Sequence, residues 1–325
     1  MKILGLVGSR RKLGNSELLV KEALKVARDE GASVEIMRTT DLYVQECNGC
    51  MACIIRKQPC RLKDDISFLG EKLDAADGLV VAAPSYHHHA PASMMMLDYR
   101  LLGLVMDRTP RKKAISIGLA AIHIHAGEIV PNINYFIREA GFEVINSMLA
   151  ISAGPGEVLI PERADIPKEV GRMTRDLVFA LKGEESRLSP YVNKLRVFNA
   201  RAEGDTLYTE ENCCPYCFSQ AFSFISPTEL QCIYCHVTTP GMVSKDGDVA
   251  KLDFGSWSKE AVFQGREKHH SNWVTPTGGW FQQRREEINA LREQYTNTNI
   301  GMPWLVPPSG EANLPSLEKA PPVKA

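Results

Sequence analysis

Nine cysteines carry the most specific chemistry in this chain of 325 residues, and they fall into two clusters. The first holds Cys47, Cys50, Cys53 and Cys60. Three thiolates at a spacing of three can wrap one corner of a cubane cluster, and a fourth a short loop away completes the ligation. The spacing therefore favours a [4Fe–4S] site over zinc, which more often uses two separated CxxC or CxxH pairs. The second cluster is Cys213, Cys214, Cys217, Cys232 and Cys235. Cys214-Pro215-Tyr216-Cys217 and Cys232-Ile233-Tyr234-Cys235 stand fourteen residues apart, which is zinc-ribbon spacing. Cys214, Cys217, Cys232 and Cys235 are the predicted ligands of Zn2+. Iron in an S4 site is the rival.

Disulfides need an oxidising compartment. The opening Met1–Gly8 has too short an apolar stretch for a signal peptide. The expected location is the cytoplasm, where thiols stay reduced. No apolar run approaches the ~20 residues that span a bilayer, so no membrane partner is expected. Lys and Arg number 38 against 39 Asp and Glu, for a net charge of −1. A general nucleic-acid clamp carries a basic excess, so that class is disfavoured.

Three loops carry polar groups where ligands sit. Gly8-Ser9-Arg10-Arg11-Lys12-Leu13-Gly14-Asn15-Ser16 follows a first apolar run and opens a helical one. Free backbone N–H groups and the positive helix end point at an anion there. Ser9, Asn15 and Ser16 add short donors, Arg11 adds a cationic fork, and Gly14 permits the turn. The loop matches neither GxGxxG nor GxxxxGK[ST], so a single phosphate monoester suits it better than a dinucleotide. The second loop is Pro84-Ser85-Tyr86-His87-His88-His89-Ala90-Pro91. Side chains alternate on an extended segment, so three consecutive histidines rarely bind one ion. His88 is instead the candidate proton donor, with Tyr86 and His87 shaping the ligand face. The third loop, Leu119–Glu128, contains Ala121, His123, His125 and Gly127. No nucleophile elbow or Ser-His-Asp arrangement is present, which argues against hydrolysis.

The elements that must position these loops alternate. Strands are predicted over Lys2–Gly8, Val34–Arg38, Gly78–Ala83, Lys113–Gly118 and Glu143–Leu149, each a short apolar run. Helices are predicted over 16–30, 66–76, 90–103, 127–140 and 167–182. Five strands with intervening helices make an α/β fold with a doubly wound parallel sheet. Domain 1–184, with the cysteine loop 47–60 inserted, should end at the linker Lys182–Ser186. The remainder, 185–325, reads as a smaller metal-stabilised domain around 214–235. It adds a helix near 281–294 and a Pro-rich tail, 303–325, that is extended along a surface or disordered.

The first half resembles the flavodoxin-like NAD(P)H-dependent FMN reductases. Their first loop runs Ser-x-Arg-x-x-x-Asn-[Ser/Thr], and Ser9, Arg11, Asn15 and Ser16 match it. The resemblance implies that these residues hold the phosphate of FMN. It also implies that Pro84, Ser85 and Tyr86 pack against the flavin ring. The backbone of the third loop, at Ala121 and Gly127, would then reach its pyrimidine edge. Glycines expected near 121–125 are replaced by bulkier residues. The first cysteine motif resembles that of the iron–sulfur flavoprotein branch, and the likeness covers roughly residues 1–183. It implies an FMN-dependent oxidoreductase with a [4Fe–4S] cluster, a small-molecule or protein electron donor and acceptor, and a homodimer or homotetramer. Two alternatives stand beside it: a non-catalytic redox-sensing module that binds through its ribbon, and a plain flavin or quinone reductase without a cluster.

Overall fold

The computed structural model describes residues 1–50, 52–55, 60–105, 112–122, 125–198, 221–226, 229–233, 238–240, 280 and 282–305. A parallel sheet is its frame. The strands are β1 (Lys2–Val7), β2 (Ser33–Arg38), β3 (Gly78–Pro84), β4 (Lys112–Ala120), β5 (Phe142–Ile151) and β6 (Leu195–Phe198). Their order is β2-β1-β3-β4-β5-β6, every neighbour parallel. The strand order reverses between β1 and β3, and in this order the ligand crevice opens outside the carboxyl ends at that point.

Helices cover both faces. α1 (Asn15–Asp29) and α6 (Asp165–Lys182) pack on one side, where Leu19, Ala23 and Leu24 meet Val170, Met173 and Leu177. α3 (Ile66–Ala75), α4 (Ala92–Val105) and α5 (Ile129–Glu139) pack on the other, around Leu69, Met94, Leu97 and Phe136. A short helix, α2 (Ala52–Ile55), lies within the cysteine loop. The continuous apolar runs of β1 and β3 are buried on both faces, as this layering demands. α1 ends at Gly31, whose φ of +89° suits glycine.

Two features depart from the sequence expectation. The sheet has six strands rather than five. β6 pairs with Ser147–Ala150 of β5, and its four residues, Leu-Arg-Val-Phe, are too few to show a strand period. The second departure is where the chain goes after residue 280. α7 (Arg285–Glu293), α8 (Asn297–Ile300) and the extended Pro303–Leu305 lie back along the first domain as a strap. The Ile36 N–H donates to Pro303 O at 3.2 Å and the Leu305 N–H to Ile36 O at 2.8 Å. The strap thereby covers the free edge of β2, which would otherwise expose unpaired backbone. Between β6 and the strap, β7 (Phe222–Ser226), β8 (Glu229–Cys232) and β9 (Thr238–Pro240) form a separate antiparallel sheet. Among the described residues, no helix is long and apolar enough to cross a membrane.

Candidate functional site

The loop between β1 and α1 has the build of an anion cradle. Gly14 is the N-cap residue of α1, in extended conformation, and no side chain caps the helix. The first-turn N–H groups thus keep their positive character. Ser9 and Ser16 are buried beneath the loop, while Arg10, Arg11 and Lys12 are exposed on it. The loop is held by two anchors that composition does not reveal. Glu17, buried in the first helical turn, accepts from the Leu13 N–H at 2.8 Å. Its carboxylate is balanced by Lys21 at 2.8 Å and Arg38 at 2.6 Å. Leu13 itself sits at φ +51°.

Asn15 does something different from the contact expected of it. Its Nδ2 donates to Ser152 Oγ at 3.0 Å and Gly154 O at 2.8 Å. Its Oδ1 accepts from the Gly156 N–H at 2.7 Å. The side chain ties the first loop to the segment after β5.

The second loop is a tight turn. Tyr86 and His89 exchange both backbone hydrogen bonds, N–H to O at 2.8 and 3.2 Å. The two residues between them, His87 and His88, have φ of +47° and +73°. That is the pattern of a type I′ turn, normally filled by Asn or Gly. Tyr86 and all three histidines are exposed. The His88 ring meets that of His125 edge-on, with centroids 5.4 Å apart. The third loop is stitched on closely. The Ser85 hydroxyl donates to His125 O, and the Glu128 N–H donates to His88 O at 2.6 Å. A Cβ at Gly127 would lie 2.3–2.5 Å from His88 atoms, so glycine is obligatory there. Ala121 is exposed at the rim. The sheet thus brings the first, second and third loops to its carboxyl edge, with Pro84 at the end of β3.

The cysteine loop leaves β2 toward α3. Cys47 and Cys50 are exposed, and Cys53 and Cys60 are half-buried free thiols. Among the described residues, no three Cys, His, Asp or Glu side chains converge closely enough to share an ion. The donor set suits a thiolate-held cluster by type, and the loop is not closed around one. Its ends are anchored. Arg100 of α4 donates to Gln45 O at 2.5 Å and pairs with buried Asp64 at 2.5 Å. Of the second cysteine set, Cys232 ends β8, while Cys214, Cys217 and Cys235 lie outside the described residues.

Sequence reasoning missed the long-range supports: Glu17 with Arg38, Arg100 with Asp64, and Arg292 of the strap. An acid in the first turn of a predicted helix was a readable signal for Glu17. Nothing local marks the other two.

Residues 1–125 match the NADPH-dependent FMN reductase family. An iron–sulfur flavoprotein of Methanosarcina thermophila is 40% identical over 121 residues, 37% of this chain and 62% of that protein. One from Methanocaldococcus jannaschii is 35% identical over 121 residues, 36% of this chain and 62% of its own length. This chain therefore spans a little under two thirds of these relatives. Among solved structures, a flavone reductase superposes with a TM-score of 0.52 at 17% identity, covering 91% of this chain and 96% of that one. That likeness is one of fold alone.

Proposed function

We propose that the chain is an FMN-dependent oxidoreductase, because residues 1–125 match the NADPH-dependent FMN reductase family and resemble iron–sulfur flavoproteins. It passes electrons from a donor such as NAD(P)H or ferredoxin, through flavin and a [4Fe–4S] cluster, to a small-molecule or protein acceptor. The observation that carries the reading is the uncapped start of α1, set beside buried Ser9 and Ser16 and the exposed Arg11 at the switch point of the sheet. A phosphate monoester fits that cradle in charge and size.

When bound, the flavin supplies one- or two-electron exchange and the cluster one-electron exchange. The chain's own residues bind and orient. Backbone N–H groups of the first loop, with Ser9, Ser16 and Arg11, hold the phosphate. Asn15 and Glu17 keep that loop in shape. Tyr86 and His87 border the ring site, and Gly127 lets the third loop close against the second. His88, exposed and in edge contact with His125, is the candidate proton donor at the rim. Cys47, Cys50, Cys53 and Cys60 hold the cluster. Zinc on Cys214, Cys217, Cys232 and Cys235 rests on spacing alone, as does a homodimeric or homotetrameric assembly on the resemblance.

The test is an ultraviolet–visible spectrum of anaerobically purified protein, with flavin, iron, sulfide and zinc assays on the same sample. About one FMN, four iron and four sulfide per chain supports the proposal. Flavin without sulfide leaves a plain flavin reductase, and no flavin overturns the reading.

A further inference from the structure

We infer that the C-terminal strap is a working part of the phosphate site, with Arg292 as the positioning residue that sets the Lys12–Leu13 backbone. The inference rests on the FMN reading above and deepens it. The Arg292 Nε–H donates to Leu13 O at 3.0 Å, and its Nη2 donates to Lys12 O at 3.2 Å. Its Nη1 is held by Asn289 Oδ1 at 3.1 Å. Leu13 is therefore gripped at both backbone groups: its N–H by Glu17 of α1, its carbonyl by a residue 279 positions away.

The consequence is electrostatic. Carbonyl oxygens repel an anion, and two of them stand in a loop whose N–H groups are to receive one. Turning both onto a guanidinium removes that repulsion and fixes a loop in which Leu13 holds a positive φ. Among the described residues, no carboxylate is hydrogen-bonded to this guanidinium. Burial, and then the neighbouring charge of Arg11, push the Arg292 pKa below its ordinary value against the opposing charge of Glu17. Two cations facing one loop repel each other, and a bound phosphate relieves that strain.

The seat of α7 is built for close approach. Gly156 has φ +85°, and a Cβ there would fall 2.5–2.6 Å from Ile288 and Arg292. The same Gly156 donates its N–H to Asn15. Ile288 is fully buried. Past the helix, Tyr295 O accepts from Lys21 Nζ at 2.7 Å, and Lys21 is the partner of Glu17. Strap, α1 and the segment after β5 thus converge on one loop.

The experiment is a binding titration of the full-length apoprotein with FMN and with riboflavin, for wild type, Arg292→Met and Arg292→Lys. Arg292→Met should weaken FMN on the order of tenfold while leaving riboflavin unchanged, the loss of one charge-assisted contact set. Arg292→Lys should recover part of it. Equal weakening of both ligands, or no weakening of FMN, overturns the inference. Should Arg292→Met fail to fold, amide exchange on the wild type decides. Residues 288–295 should be slowed by FMN and not by riboflavin, and an unchanged strap overturns the role. Wild type that binds no FMN overturns the proposed function instead.

Discussion

Arg100 of α4 donates from Nη2 to the Cys60 thiol at 3.4 Å, while its other arm pairs with Asp64 at 2.5 Å. One guanidinium thus connects the core helix to the far end of the cysteine loop, and through Gln45 O to its near end. The Arg100 and Asp64 side chains are 1% and 0% exposed. Removing one member leaves a buried charge unbalanced. Arg100→Met should cost roughly 3–5 kcal/mol in urea unfolding. The Arg100→Met, Asp64→Leu double variant should cost clearly less than the two single losses added. Additivity would show that the pair is not coupled. On the proposed ligation of a cluster by Cys60, Arg100→Lys in anaerobically prepared protein should also shift its potential downward, because a donor to a ligating sulfur stabilises the reduced state.

Asp98, two residues before that arginine, is buried with Oδ1 lacking a partner among the described residues. Burial, and then the charge of Glu139, raise its pKa to about 8. Between the ordinary carboxylate range and that value the folded chain holds a proton that the unfolded chain releases. Stability therefore falls as pH rises from about 4 to about 8, and levels off above it. Asp98→Asn should flatten this slope and raise the melting temperature at pH 9. An unchanged slope in the variant would assign the pH dependence to other groups.

The turn His87–His88 stores strain that the fold over-determines. Both residues hold φ values that cost a non-glycine side chain about 1 kcal/mol or more. His88→Gly should therefore stabilise the chain by about 1 kcal/mol in thermal unfolding. Any loss of turnover on the same variant then belongs to the imidazole and not to the backbone. Gly127→Ala is the opposite case. Its Cβ meets His88 backbone, which cannot yield without parting the second and third loops. That variant should lose at least about 2 kcal/mol.

The doubly wound sheet was legible because β1 and β3 are apolar runs and β4 and β5 are mostly apolar ones, each followed by a helix at 3.6 spacing. Ser9, Arg11, Asn15 and Ser16 stood out because strand, glycine and helix start were contiguous. What stayed hidden was set by distance along the chain. Leu195–Phe198 is a strand because β5 offers an open edge, and no four-residue pattern announces that. Arg292 lies in an ordinary amphipathic helix, and only its docking on Gly156 brings it to the loop. Asn15 was readable as a candidate. Its three partners at 152, 154 and 156 were not, since side-chain direction follows from the packing of two loops.

Trp304 tests whether the strap belongs to the fold. Its ring takes Lys21 at 5.2 Å and Arg38 at 5.0 Å from the centroid, the two cations that balance Glu17. Its neighbours Pro303 and Leu305 pair with Ile36 on the edge of β2. Trp304→Ala removes a half-buried ring and two cation–π contacts. The expected loss is about 2–3 kcal/mol, below the ~3–5 of a fully buried tryptophan. Trp304→Phe should recover most of it, because the ring face and much of the buried area remain. With the edge loosened, the alanine variant should also associate at high concentration, as an exposed parallel edge invites strand pairing. Denaturant unfolding and sedimentation velocity read the two effects separately. An alanine variant as stable as wild type would mean that residues 303–305 only lie against the domain, and that Glu17 and Arg38 hold the first loop without them.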